Sequence, residues 1–309
     1  MTIQQLEYIV ALDTHRHFVS AAESCFVSQP TLTLQIQKLE TEMNTTIFDR
    51  SKKPIEPTKA GAVVIERARE ILREVKGLKD FISQDKDELV GEFRIGVIPT
   101  VAPYLLPRFL KQFAELYPET NLSIREVESQ QIMHDIQHDK LDIGIMATPL
   151  ENKAFMEVPL YNEPFLLYVS ELNPLYMSNE VKVSQLPKKG LWLLNQGHCL
   201  RNQILSVCNQ KSKPELNNLN YESGSVETLK NMVKSQMGYT LVPELSVLAD
   251  SSDKRIKRFK SPEPVREVSL VVHRNFNKNG MLEALKQSIQ QNIPQRFVEG
   301  TSKNRVGWL

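Results

Sequence analysis

The order of apolar and polar positions along the chain divides it into three regions with different periods. At the N-terminal end, Leu6, Ile9, Val10 and Leu12 recur at helical spacing and Phe18 follows. Ser20, then Ala21-Ala22 and Glu23 at the capping-box position, predicts a short helix over 21–25. Ser28 with Pro30 two residues on marks another helix start. That helix is expected over 29–43, with Leu32, Ile36 and Leu39 facing inward. From Val64 the apolar positions step through Ala68, Ile71, Val75, Leu78 and Ile82 in an unbroken heptad, on a proline-free segment spanning 58–88. Such a seam is the pattern of two helices packed together.

Beyond residue 90 the period alternates between two and about 3.6. Strands are predicted over 93–98, 122–127 and 141–146, with helices over 105–117 and 130–138 between them. A second set follows: strands at 165–169, 192–194 and 240–242, a helix over 226–237, a late strand over 268–272 and a last helix over 281–291. This alternation predicts a parallel α/β arrangement. Residues 299–309 carry little apolar pattern and read as a loose end.

Composition adds limits. A chain of 309 residues holds two or three domains, and 41% apolar with 24% charged residues suits a soluble globular protein. No apolar run is long enough for a membrane span, and the first ten residues do not resemble a signal peptide. Three cysteines, an odd number, do not suit a disulfide-stapled secreted protein, so a cytoplasmic location is expected. The net charge of +1 gives no hint of nucleic acid. Residues 1–60 carry six Lys/Arg against seven Asp/Glu, but Arg50, Lys52, Lys53 and Lys59 cluster beside a short hairpin or wing at Pro54-Ile55-Glu56-Pro57. A local basic edge of this kind can hold phosphates. Two short helices joined by a tight turn make a helix-turn-helix. The polar face of the second, Thr31, Thr33, Gln35, Gln37 and Lys38, offers donors and acceptors for a major groove.

The candidate chemistry lies in Asn195–Cys208, NQGHCLRNQILSVC. Cys199 follows His198 and precedes Arg201 by two, neighbours expected to ease ionisation of the thiol. Leu200, Ile204, Leu205 and Val207 keep helical spacing up to Cys208. Nine residues of helix rise about 13.5 Å, whereas a disulfide needs Cα atoms within about 7 Å. The two thiols therefore cannot join while this segment is helical. Read from the residues alone, the pair is either a redox switch or two small buried apolar side chains. No close Cys/His pair stands at zinc spacing, and no metal or cofactor is expected. Cys25 reads as a buried apolar residue of the helix-turn-helix.

Taken together, Ser20-Ala21-Ala22, Ser28-Gln29-Pro30-Thr31-Leu32, Ile36-Gln37-Lys38-Leu39-Glu40, Ile47-Phe48-Asp49-Arg50 and Thr58-Lys59-Ala60-Gly61 resemble the winged helix-turn-helix of the LysR-type transcriptional regulators. Asn44 stands where that family usually has Gly, and Leu34 where many members carry a polar or basic residue. The resemblance implies an all-α winged helix-turn-helix domain over 1–58 and a dimerising linker helix over 59–89. Next would come an α/β regulatory domain over 90–309, built from two subdomains (90–162 with 268–300, and 163–267) like a periplasmic binding protein. DNA contacts are expected from Ser28, Gln29, Pro30, Thr31, Thr33, Gln35, Lys38, Arg50, Lys52 and Lys53.

Gly197-His198-Cys199-Leu200-Arg201 with Cys208, residues 225–232, and residues 98–107 resemble the hydrogen peroxide-sensing members of that family. This implies a reversible Cys199–Cys208 disulfide, supported at the peroxide pocket by Thr100, His198, Arg266 and Ser129, the last where relatives carry Thr. Asn202 replaces a frequent Asp. The expected partners are promoter DNA, RNA polymerase, cytosolic thiol reductants and further copies of the chain as a dimer or tetramer, and the expected output is control of antioxidant genes. Two other readings stand beside it. One is a LysR-type regulator that binds a small effector in its hinge cleft with inert cysteines. The other is a thiol peroxidase, which would have no use for the first sixty residues, so no enzyme is expected.

Overall fold

The computed structural model describes residues 1–83, 89–187, 189–208, 223–250, 252–299 and 306–307. The chain divides into two compact units, Met1–Asp87 with Asn275–Asn277, and Glu88–Arg274 with Lys278–Leu309.

In the first unit, α1 (Ile3–His15) opens on a capping box between Thr2 and Gln5. Arg16 then turns left-handed (φ 54°) and its N–H closes the helix on Leu12 O. This early stop moves the next helix forward. α2 spans Phe18–Ser24 with His17 at its N-cap, so Ser20 lies inside the helix rather than capping it. α3 (Gln29–Glu42) starts as its sequence predicts, with Ser28 Oγ accepting from Thr31 N–H at 3.3 Å. Asn44 supplies the left-handed residue after it (φ 47°), so the turn survives without Gly. β1 (Phe48–Asp49) and β2 (Glu56–Pro57) pair antiparallel as the wing.

Thr58 Oγ1 accepts from Gly61 N–H at 2.9 Å and opens α4 (Lys59–Ser83). A Cβ at Gly61 would lie 1.9 Å from Ile47 O, so only glycine permits this approach. The core joins α1, α2 and α3 to the first turns of α4. There the heptad reading needs correction. Ala68 is buried in this core and Val64 packs against it, so these two face their own domain. Beyond them Ile71 is 39% and Leu78 63% exposed, with Val75 half-buried. The Ile82 side chain and residues 84–88 lie outside the described residues.

The second unit begins with β3 (Gly91–Val97), α5 (Ala102–Leu116), β4 (Thr120–Glu126), α6 (Ser129–Gln137) and β5 (Ile143–Thr148). β3 pairs parallel with both β4 and β5, the arrangement the alternating periods predict. β6 then runs for fifteen residues, Phe155–Val169. Sequence pattern finds only its second half, because Glu157, Pro159, Asn162, Glu163 and Pro164 interrupt the apolar run. After β7 (Glu180–Val181) come α7 (Cys199–Val207), α8 (Val226–Lys234), β8 (Tyr239–Pro243), β9 (Ile256–Phe259), β10 (Val265–His273), α9 (Asn279–Gln291) and α10 (Gln295–Glu299). Of these, β7, β9 and α10 have no counterpart in the sequence prediction. The strand expected at 192–194 is absent; that stretch carries only single bridges, Leu191 to Tyr239 and Leu194 to Ser223.

β10 pairs antiparallel with β5 and with the first part of β6, while the rest of β6 pairs with β8 and β9. β6 thus passes from one α/β layer into the other. A single large core cluster binds β6, β8, α7 and α8 together. Of the end expected to be loose, residues 300–305 and 308–309 lie outside the described residues. Val306 is buried in that cluster, donates its N–H to Val265 O at 2.9 Å and accepts from Gln203 Nε2 of α7 at 3.2 Å.

Candidate functional site

Cys199 is the first residue of α7 and Cys208 is its C-cap; both are free thiols. The helix is held by the burial of Leu200, Ile204 and Val207. It keeps the two sulfurs about nine residues of rise apart, beyond disulfide reach.

Of the four side chains expected around the thiol, Thr100, Ser129 and Arg266 come together with Cys199, and all are buried, Cys199 itself being 3% exposed. Each is placed by the end of an element. Thr100 follows β3. It does not cap α5, whose N-cap is Val101 with no side-chain bond. Arg266 Nη1 donates to Thr100 Oγ1, and Nη2 to Thr100 O, both at 3.0 Å. Ser129 begins α6. Its hydroxyl lies close enough to favour a charged sulfur on Cys199. Yet Ser129 Oγ makes no hydrogen bond of good geometry among the described residues. A buried hydroxyl in this position is free to donate to the neighbouring sulfur.

The electrostatics differ from the sequence expectation in three ways. Burial raises the pKa of the Cys199 thiol. Ser129, the charge of Arg266 and the backbone of Leu200 and Ala147 pull it back only in part. The resting group is therefore a protected thiol rather than an accessible thiolate. Second, the cation beside it is Arg266. Arg201 turns away and donates to Leu194 O at 2.9 Å. Third, His198 is the N-cap of α7, and burial lowers its pKa against the opposing pull of Glu128 and Glu126, so its imidazole is neutral at pH 7. Its Nε2 lies 3.7 Å from Glu128 Oε1. Cys208 sits in an apolar setting that pushes its thiol up to about 12.

Two residues of this site carry no motif. Glu128 stands at the N-cap of α6, against Gly197, whose left-handed φ of 104° and lack of a side chain admit its carboxylate. Glu163 is fully buried and pairs with Arg266 across β6 and β10. The two are register partners in the antiparallel ladder. An acidic residue on one strand opposite a basic one on its neighbour is the signal that would have found this pair, and only the ladder register supplies it.

In the first unit, α3 presents Ser28, Gln29, Pro30, Thr31 and Lys38 to solvent, with Thr33 and Gln35 half-buried. Ser28 and Thr31 share a hydrogen bond at 2.8 Å, and Gln5 Nε2 donates to Gln35 Oε1 at 3.3 Å. Leu34, the departure on this helix, is half-exposed. Wing residues Arg50, Lys52 and Lys53 are exposed. Arg50 is also structural: it donates to Glu40 Oε2 at 2.7 Å and lies over the Phe18 ring. Cys25 is half-buried at the end of α2, packed on the core.

Comparison with known proteins agrees with both units. Residues 3–62 match the family described as bacterial regulatory helix-turn-helix protein, lysR family, and residues 86–294 match the LysR substrate binding domain. A hydrogen peroxide-inducible genes activator from Haemophilus influenzae is 41% identical over 88% of this chain and 90% of its own length. The DNA-binding transcriptional dual regulator OxyR of Escherichia coli K12 is 37% identical over 96% of this chain and 97% of its own. Among solved structures, full-length OxyR C199D from Pseudomonas aeruginosa superposes with a TM-score of 0.80 at 30% identity, covering 95% of this chain and 99% of that one. Reduced OxyR from Porphyromonas gingivalis gives a TM-score of 0.60 at 30% identity over 67% and 96%. With a helix-turn-helix unit and a regulatory unit both matched in order, this chain belongs to the LysR family of bacterial transcriptional regulators.

Proposed function

We propose that this chain is a hydrogen peroxide-responsive regulator that binds promoter DNA and controls antioxidant genes through a reversible Cys199–Cys208 disulfide. The observation that carries this reading is the buried Cys199 at the start of α7, beside the unpartnered Ser129 hydroxyl and the Arg266–Thr100 pair. Thr100, Ser129 and Arg266 are polar groups that could each donate to an oxygen bound at the sulfur. The names of the relatives, peroxide-inducible activators and OxyR, support the same signal.

Peroxide displaces nothing large and needs no cofactor. The Cys199 sulfur attacks one oxygen and the O–O bond breaks. The thiol proton goes to the departing oxygen, which leaves as water stabilised by Arg266, Thr100 and Ser129. Sulfur is oxidised to sulfenic acid and peroxide is reduced. The Cys208 thiol then attacks the sulfenic sulfur, forming the disulfide and releasing a second water. Because α7 holds the sulfurs apart, this step requires the helix to unwind, and its apolar side chains must be repacked. Two external thiols return the pair to the reduced state. The exposed stripe of α4 beyond Ala68, Ile71 and Leu78 with Val75, dimerises the chain and sets two α3 helices for two half-sites. Refolding of α7 changes that spacing and recruits RNA polymerase.

The test is peptide mass mapping after one equivalent of peroxide. A Cys199–Cys208 link is the expected result, and loss of promoter response in Cys199→Ser follows from it. Unlinked cysteines together with an intact peroxide response in Cys199→Ser would overturn the reading.

A further inference from the structure

The Arg266–Glu163 pair is more elaborate than charge neutralisation needs. Both side chains are at most 1% exposed. Glu163 Oε2 accepts from Arg266 Nε at 2.8 Å and lies 2.7 Å from Nη2. Its other oxygen, Oε1, accepts from Leu245 N–H at 2.8 Å. The carboxylate is therefore fixed at both ends, by β10 on one side and by the turn after β8 on the other. Nε and Nη2 of the guanidinium face Glu163, while Nη1 donates to Thr100 Oγ1 and Nη2 also to Thr100 O. Nη1 thus lies on the Thr100 side, and the guanidinium's charge favours an ionised sulfur at Cys199.

We infer that Glu163 is a positioning residue for the peroxide reaction: by engaging the Nε–Nη2 edge of Arg266 it directs Nη1, with Thr100, toward the oxygen that leaves when Cys199 is oxidised. The inference rests on the peroxide-sensing reading above. Glu163 touches neither sulfur nor peroxide, and it acts only through Arg266. An uncharged isostere cannot do the same work. Both carboxylate oxygens are acceptors here, whereas Gln has one acceptor and one donor. Glu163→Gln must set an NH2 against either Leu245 N–H or Arg266, and the fork loses its lock.

The experiment measures the second-order rate of Cys199 oxidation by hydrogen peroxide and, on the same proteins, of its alkylation by iodoacetamide, which needs no donor at a leaving oxygen. Wild type, Glu163→Gln, Arg266→Gln and the double variant are compared. Misplacing a donor costs on the order of tenfold to a hundredfold in rate, so Glu163→Gln is expected to lose that much with peroxide while its alkylation rate changes far less. In the Arg266→Gln background, Glu163→Gln is expected to have no further effect, because its only route is gone. The double variant also carries no unpaired buried charge, so it keeps the comparison open if the single variant folds poorly. Equal losses with both reagents, or additive losses in the double variant, would overturn the inference and leave Glu163 a structural residue. A wild-type Cys199 no faster toward peroxide than a free thiol would instead overturn the peroxide reading itself.

Discussion

If α7 must unwind for Cys199 and Cys208 to meet, then whatever stabilises α7 stabilises the reduced form alone. Ile204 tests this most directly. It lies between the two cysteines and is completely buried in the core of the second unit. Ile204→Ala removes three carbons from a packed site, a change that costs about 2–5 kcal/mol in comparable cores. In the disulfide form the residue has left that site, so the cost falls mainly on the dithiol. For a two-electron couple about 1.4 kcal/mol corresponds to 30 mV, so the reduction potential of the pair is expected to fall by roughly 40–100 mV. The sign is fixed: a destabilised product of reduction makes reduction harder. Ser206, exposed on the same helix, serves as the opposite control. Ser206→Ala improves helix propensity by about 0.5 kcal/mol and should raise the potential by roughly 10 mV. The assay is equilibration in graded glutathione or dithiothreitol buffers, acid quenching, and counting of the free cysteines by mass. A potential for Ile204→Ala that is unchanged or higher would show that the helix is not undone by oxidation, and the coupling between bond and fold would fail.

Two further outcomes follow from the same geometry. Burial pushes Cys208 up to about 12 and raises Cys199 as well. A free thiol ionises near 8.5, so the stability these protonated groups lend the reduced protein is whole below that pH and is lost as pH rises toward about 12. Urea unfolding of the reduced protein at pH 8 and pH 10 should show a loss that is smaller in Cys208→Ser; an identical loss in both would contradict the burial argument. In the first unit, Glu40 Oε1 accepts from Ile47 and Phe48 N–H at 2.8 and 3.2 Å, while Oε2 binds Arg50. Glu40→Ala leaves those donors in the wing unpaired, at a cost of about 1–3 kcal/mol. It should lower the melting temperature of the helix-turn-helix unit and weaken DNA binding at low salt, and an unchanged melt would deny Glu40 that role.

What could be read in the sequence is what a local period or a fixed turn dictates. Ser28 with Pro30 and the tolerant Asn44 each state a backbone requirement that the chain itself displays. The strands of the first α/β layer are legible from their local pattern: β5 is buried throughout, and β4 alternates half-buried with exposed positions over most of its length. What escaped depends on contacts distant in sequence. The first half of β6 is polar and proline-broken, and it is a strand only because β10 lies alongside it. The heptad of α4 is real as a period. No period says which partner it meets, and α1 takes Ala68 before a second chain can. Val306 is one apolar residue in a polar tail, and its place beside α7 is set by Val265 and Gln203, forty and more than a hundred residues away.

The same limit explains why the thiol was misjudged. Neighbours in sequence, His198 and Arg201, suggested a thiolate. In three dimensions one is neutral and the other faces away, and the cation arrives from residue 266 on a strand bound to Glu163. A site built this way favours specificity over standing reactivity. A buried, protonated sulfur is shielded from bulky or charged oxidants. On the proposed reading, it reacts when a small peroxide sets an oxygen near Arg266, Thr100 and Ser129 and takes the thiol proton as that oxygen leaves. The donors are held by the ends of β3, α6 and β10, which belong to rigid elements, while the acceptor of the oxidation, Cys208, lies at the far end of a short helix. If Cys199 is the peroxide-sensing thiol, recognition of the oxidant and the conformational response fall to different parts of the fold. Changes such as Ile204→Ala should move the potential with little effect on the first oxidation rate, and changes such as Glu163→Gln should do the reverse.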